Sequence, residues 1–198
     1  MRRNCIKILF LFCAINLRAQ IGFEIGASHK IDHISYELND DFNLGIQLRS
    51  FAKINLSKQI KIKNELTFSK NIHSNSGEIA GKKWVQRYIY NWMSISSNME
   101  LFLVRNFYVI YGINYNYLMS NNYKWKWSDQ ASSSSLNLSE LDFTSRTNTS
   151  ANLGVGWIFD KKMILEIRCE NKIADGNFKL EPIDLKQYII SLGVGIIL

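Results

Sequence analysis

The sequence has 198 residues, with 24 Lys plus Arg against 17 Asp plus Glu and a formal charge of +7. That length is one domain by prior, and no stretch reaches the ~18 uninterrupted apolar residues that mark a membrane helix. Four cations, Arg2, Arg3, Lys7 and Arg18, lie in a segment without Asp or Glu; setting it aside lowers the charge to +3, and the case for a nucleic-acid partner, which needs a clustered basic face, weakens with it.

That segment reads as a secretory signal peptide over residues 1–19, with a basic start, an apolar run from Ile8 to Ile15, and Leu17-Arg18-Ala19 before a cut at Gln20. Cys13 does not make it a lipoprotein signal, because bulky Phe12 stands where a small residue is expected. With Cys5 and Cys13 removed, only Cys169 remains in residues 20–198 and no internal disulfide is expected. The exported domain must hold together through its backbone ladder and packing, and if it enters a membrane it does so as strands.

From Gln20 the chain alternates. A first strand, Ile21 to Ser28, sets Ile21, Phe23, Ile25 and Ala27 against Gly22, Glu24 and Gly26. A polar stretch, His29 to Asp41, precedes a second strand with Leu44, Ile46 and Leu48 opposite Gly45, Gln47 and Arg49. After Asn55 to Gln59, a third strand opposes Ile60, Ile62, Leu66 and Phe68 to Lys61, Lys63, Glu65, Thr67 and Ser69. Lys70 to Lys83 reads as a second long connection, rich in Asn, Ser and Gly. The fourth strand, Trp84 to Leu101, has apolar residues on both parities, so its faces stay unassigned. A turn at Val104 to Asn106 leads to the clearest alternation, Phe107 to Ser120, with Tyr111, Ile113, Tyr115 and Tyr117 on one side and Gly112, Asn114 and Asn116 on the other.

Asn121 to Arg146 is the longest polar connection, and in it Tyr123, Trp125 and Trp127 continue the outward parity of strand 5. Leu141 and Phe143 share the parity of Ala151, Leu153, Val155 and Trp157 in strand 6, so the strand 5 to 6 hairpin is expected to project beyond the membrane. Strand 7 sets Met163, Leu165, Ile167 and Cys169 against Glu166, Arg168 and Glu170, and after Asn171 to Lys186 a final strand ends the chain with Tyr188, Ile190, Leu192, Val194, Ile196 and Leu198 on one face.

Long connections after strands 1, 3, 5 and 7 and short ones between them put all long loops at one end, the asymmetry of an outer-membrane barrel. Gly22, Gly26, Gly45, Gly112, Gly154, Gly156, Gly193 and Gly195 all fall on the polar faces. In a small barrel the interior is just wide enough for side chains, so these glycines are read as clearance for bulky inward groups. The expected architecture is all-β, an eight-stranded antiparallel up-and-down transmembrane β-barrel over residues 20–198, with short periplasmic turns, long extracellular loops, both termini periplasmic and strand 1 paired to the last strand. Its lumen charge cluster is Glu24, Arg49, Glu65, Glu166 and Arg168. A secreted soluble calycin-like binder would point the apolar faces inward and cover its surface with Lys and Glu, whereas these polar faces are mostly Gly, Asn and Ser.

The Gly-rich first strand Ile21 to Ala27, the Tyr108 to Met119 run, Leu165-Glu-Ile-Arg168 and the closing Ser191-Leu-Gly-Val-Gly-Ile196 resemble the PorT-like family of small outer-membrane β-barrels. The resemblance covers Gln20 to Leu198, with departures: no proline within Asn91 to Met93, Cys169 where an aromatic is usual, and a terminal Leu198 in place of phenylalanine. It implies an outer-membrane location in a Gram-negative cell and, for some members, a part in protein secretion.

No catalytic, cofactor or metal residues are assigned. A lipid A-modifying, deacylase-like enzyme is the alternative, resting on His73-Ser74 with Glu78, but neighbouring strand residues point to opposite faces. His29, Asp32 and His33 lack further ligands at metal-site spacing. Tyr123-Lys124-Trp125-Lys126-Trp127 is read as a membrane-interface patch, rings at headgroup level and lysines near lipopolysaccharide phosphates. The expected partners are outer-membrane lipids and lipopolysaccharide, the barrel-assembly machinery during insertion, and a secretion-system or surface protein, with no nucleic acid.

Overall fold

The computed structural model describes residues 19–32, 39–79, 82–127, 134–136, 146–160, 162–175 and 187–198. Residues 1–18 of the expected leader, His33, Leu141 and Phe143 lie outside the described residues. Among the described residues nine strands follow in order: β1 Gln20–Asp32, β2 Asn39–Asn55, β3 Ile60–Ile79, β4 Lys82–Phe102, β5 Phe107–Trp127, β6 Ser134–Leu136, β7 Thr147–Phe159, β8 Met163–Asp175 and β9 Gln187–Ile197. Every pairing is antiparallel, and the order β4-β3-β2-β1-β9-β8-β7-β5 closes on itself through β4 and β5. Three-residue β6 is an appendage on the upper part of β5. The fold is therefore an eight-stranded up-and-down barrel, closed at the seam expected from sequence, with Gly22 opposite Ile197 and Gly26 opposite Gly193.

Closure satisfies the strand-edge hydrogen bonds, which is what lets strands enter a medium without water. The faces are inverted relative to a soluble protein. Ile25 and Leu192 are 60% and 48% exposed on the outside, while Lys63 and Glu166 on the inside are 0% exposed. An apolar belt runs around all eight strands, rimmed near the turns by Phe107, Trp157 and Phe159 and farther up by Tyr115 and Tyr117. This is the side-chain distribution of a barrel solvated by lipid.

Three tight connections mark one end. Ser57 Oγ accepts hydrogen bonds from the amides of Gln59 (3.2 Å) and Ile60 (3.0 Å), and the Leu103 amide donates to the Phe107 carbonyl at 3.1 Å. In the third, Asp160 takes φ 46°, a left-handed conformation that Asp tolerates better than most residues. The first and last strand ends lie here as well, where the Leu198 amide donates to the Ile21 carbonyl at 2.9 Å.

At the other end one expectation fails and another is met in part. Lys70 to Lys83 is not a long connection, because β3 runs on to Ile79 and pairs with β4 residue by residue up to Ile79 opposite Lys82. Its Ser, Asn and Gly content removes the hydrophobic alternation while the backbone ladder continues, so periodicity could not reveal the strand. The strand 5 to 6 hairpin rises where it is described: β5 continues past Tyr117 to Trp127 and β6 pairs back on it at Tyr123 to Trp125. β7 pairs with β5 only as far as Tyr117, whereas β4 follows β5 up to Trp127, so the rising wall is β3, β4 and β5.

Candidate functional site

Two regions of the lumen have distinct chemistry. The turn-end half is filled. Phe51, Phe102, Tyr108, Ile110, Ile158, Ile164 and Ile197 form a buried cluster immediately above the tight turns. Next to them Lys53 pairs with Glu100 at 2.6 Å, and Phe51 has the Lys53 and Lys63 ammonium groups 5.2 and 4.5 Å from its ring centroid. Contacts of this kind are worth most where water is excluded.

The charge network sits on this cluster. It brings together Glu24, Arg49, Glu65, Glu166 and Arg168, with Lys63 added at the centre. Lys63 Nζ lies 2.7 Å from Glu65, 2.8 Å from Glu166 and 3.3 Å from Glu24. Arg168 reaches Glu65 through a fork of 2.5 and 2.6 Å and also binds Glu166. Arg49 bonds Glu24 and Gln47, and Ser191 Oγ at 3.0 Å. The Tyr108 hydroxyl donates to Glu166 at 2.5 Å. Three buried carboxylates with oxygens within 4.8 Å of one another have the shape of a metal cage, but the Lys63 ammonium takes the central place a cation would occupy.

The inward glycines explain how so much fits. A Cβ at Gly193 would overlap the Glu24 carboxylate and approach Arg49, and one at Gly156 would overlap the Tyr108 ring. Gly22 clears Phe51 in the same way. Lys53 and Phe51 were legible as the continuation of the Gln47 and Arg49 parity. Glu100 was not, because it lies on the strand whose faces the sequence left open.

Above the network the lumen changes to carboxamides and hydroxyls. Asn152 donates to Asn98 (2.8 Å) and Asn114 (2.7 Å), and Asn116 to Asn148 (2.8 Å), Ser150 (2.9 Å) and Glu170 (3.2 Å). Over this layer opens a cavity of about 750 Å³ floored by Arg49, Glu65 and Arg168. The register of β4 on β3 resolves its faces: Ser96, Asn98 and Glu100 turn inward, and so do Tyr88, Tyr90 and Trp92, which line the cavity.

A bulge in β5 sets the rest of that wall. Asn91 pairs with Ser120 but Trp92 with Leu118, so Met119 is the extra residue and the parity of β5 inverts above it. The expected outward continuation of Tyr123, Trp125 and Trp127 is therefore overturned. They stand opposite Tyr88, Gln86 and Trp84 on the lumen side, while Lys124 and Lys126 are exposed on the outer side next to Arg87. The Tyr123 ring lies 4.9 Å from Tyr88, and Trp125 4.7 Å from Trp127. Burial pushes the Tyr88 and Tyr123 phenols above their ordinary pKa, so both stay neutral hydrogen-bonding groups. Trp84 packs over Gly77, where a Cβ would overlap the indole.

His73 is a strand residue facing the cavity, 6.0 Å from the Tyr88 ring, and Ser74 occupies the opposite parity. His29 Nδ1 lies 2.6 Å from the Asn43 carbonyl oxygen, a local strand-to-strand bond.

No protein-family model and no curated protein matches the chain. Among solved structures it is similar to the attachment invasion locus protein Ail of Yersinia pestis, at 12% identity and TM-score 0.44, covering 90% of this chain and 95% of that one. It is also similar to the outer membrane protein OprG of Pseudomonas aeruginosa, at 9% identity and TM-score 0.42, covering 91% and 97%. A de novo designed transmembrane β-barrel is similar at 6% identity and TM-score 0.45, covering 90% and 95%.

Proposed function

We propose that this chain is an integral outer-membrane β-barrel, exported by a leader over residues 1–19, that acts at its loop end as a non-enzymatic binding or scaffold protein. The observation that carries the reading is the filled turn-end lumen, in which buried ion pairs and aromatic rings occupy the path a pore would need. A barrel filled at one end and raised into a tall wall at the other presents surface there. The tight turns, with both strand termini beside them, belong on the periplasmic side, as in other barrels of this shape. Insertion would use the barrel-assembly machinery, and the resemblance to the PorT-like barrels suggests the finer version of the reading, an accessory to protein secretion.

Exposed Arg87, Lys124 and Lys126 on the outer side of the wall supply cations above the apolar belt, where lipopolysaccharide phosphates lie. The lipid A-modifying alternative gains no support from His73 and Ser74, whose parities are opposite.

Membrane fractionation with heat-modifiable gel mobility, followed by cross-linking in cells and affinity capture in detergent, tests the proposal. Recovery as a folded outer-membrane barrel with a discrete protein partner is expected. Recovery in the soluble periplasm would overturn it. So would a lipid A mass change on deletion that the wild-type chain reverses and a His73→Ala chain does not.

A further inference from the structure

We infer that the cavity in the loop-end half of the lumen is a glycan site, taking a short uncharged oligosaccharide. This inference concerns the interior and does not depend on which protein or lipid meets the outer wall.

The lining is divided in a way that matches one ligand chemistry. One wall, from β4, is aromatic, with Tyr88, Tyr90 and Trp92 turned to the cavity. Tyr88 and Tyr90 lie parallel, with centroids 6.1 Å apart and an interplanar angle of 1°, so the two rings form one aromatic block along the strand. Aromatic side chains lining an otherwise polar lumen are the informative feature, since large apolar surface is normally covered. The neighbouring wall, from β5 and β7, carries the carboxamides of Asn114, Asn116, Asn148 and Asn152, and across the ring Ser28 and Ser191 add hydroxyls. A carboxamide offers donors and acceptors together, and a hydroxyl offers either. A pyranose has the complementary division, an apolar C–H face to lie on a ring and a rim of hydroxyls for paired donor and acceptor groups.

Charge and size narrow the choice further. The floor guanidinium groups are committed to carboxylates, Arg49 to Glu24 and Arg168 to Glu65 and Glu166, so the floor does not select for an anionic ligand. Of the aliphatic side chains at the cavity Leu118 and Ile189 lie on the inward parity, whereas Leu44 is on the outer face, which leaves few aliphatic partners for an acyl chain. Its volume, about 750 Å³, falls in the ~300–1,000 Å³ range of small-molecule sites.

The test uses the full chain refolded in detergent micelles and saturation-transfer NMR. The probes are maltotriose, cellotetraose, mannotriose and chitotriose, delipidated O-polysaccharide from the producing cells, and trialanine as a peptide control. The free oligosaccharides and the O-polysaccharide separate a glycan of the surroundings from one on the cell's own surface. At least one glycan is expected to bind saturably and to lose about tenfold or more in affinity in Tyr90→Leu and Trp92→Leu, the scale on which a well-placed aromatic contact acts. Ser94→Trp, which fills the cavity from β4, abolishes binding, and Lys58→Glu in the exposed turn between β2 and β3 leaves it unchanged. Each variant is scored only if it keeps heat-modifiable mobility, and Ser94→Trp and the two ring variants are independent routes to the same answer. Failure of every glycan to bind the folded wild type would overturn the inference. A response to trialanine alone, or binding unaltered in folded Trp92→Leu and Ser94→Trp, would overturn it too.

Discussion

The two halves of the lumen are built from the same eight strands, yet one is packed solid and the other encloses a cavity. In the turn-end half, long ionic and aromatic side chains meet glycines on the facing strands, and Glu166, Lys63, Lys53 and Tyr108 reach complete burial. In the loop-end half, short Asn and Ser side chains are the commonest lining groups, so the same backbone circle leaves space at its centre. The contrast teaches that barrel size does not fix whether a lumen is open; the volume of inward side chains does, position by position.

The largest effect on this contrast comes from Gly193→Trp. Its indole would fall on Glu24 and Arg49, backed by strand β1, and the chain is expected to give no heat-modifiable folded form. Normal mobility of that variant would refute the packed half. Next, Glu166→Ala removes the carboxylate shared by Lys63, Arg168 and Tyr108 and leaves buried cations short of partners. A loss of about 3–5 kcal/mol in urea unfolding from lipid bilayers is expected. Replacing the Lys53–Glu100 pair on both sides, Lys53→Met with Glu100→Leu, should by contrast be neutral or stabilising by about 1–4 kcal/mol, since both charges leave the interior together. A large loss there would mean that the pair is tied into the central network.

In the loop-end half the same logic predicts smaller effects. Asn116→Ala removes the donor to Asn148, Ser150 and Glu170 beside an existing cavity, so a loss of about 0.5–1.5 kcal/mol is expected in the same assay. A loss as large as that of Glu166→Ala would show that the upper layer is as tightly coupled as the lower. Smallest of all, Lys124→Glu with Lys126→Glu on the outer wall should shift stability by no more than about 0.5 kcal/mol while lowering the lipopolysaccharide that copurifies with the barrel. Unchanged lipopolysaccharide content would remove the outer wall from the lipid-contact proposal.

Much of the lower half was legible because both signals a barrel leaves in sequence are strong there. Apolar residues alternate with polar ones in β1, β2, β5, β8 and β9, and the glycines opposite bulky groups fall on a single parity. The upper half was poorly legible for a physical reason. Above the lipid belt both faces of a strand meet polar surroundings, so alternation carries no information. β3 could therefore continue through Lys70 to Ile79 unseen, and β4, with aromatic residues inside and aliphatic ones outside, could not be oriented at all.

The sequence alone determined the class of fold, the strand that closes the ring and the inward set Glu24, Arg49, Glu65, Glu166 and Arg168, because these follow from a period of two and from the demands of lipid on a backbone. Only the tertiary structure decided that Lys63 stands among the three carboxylates, that Glu100 joins the interior, and that the Tyr123 to Trp127 run turns its rings inward and its lysines outward. Each depends on register between strands distant in the chain. One unpaired residue, Met119, is enough to exchange the two faces of everything that follows it in β5.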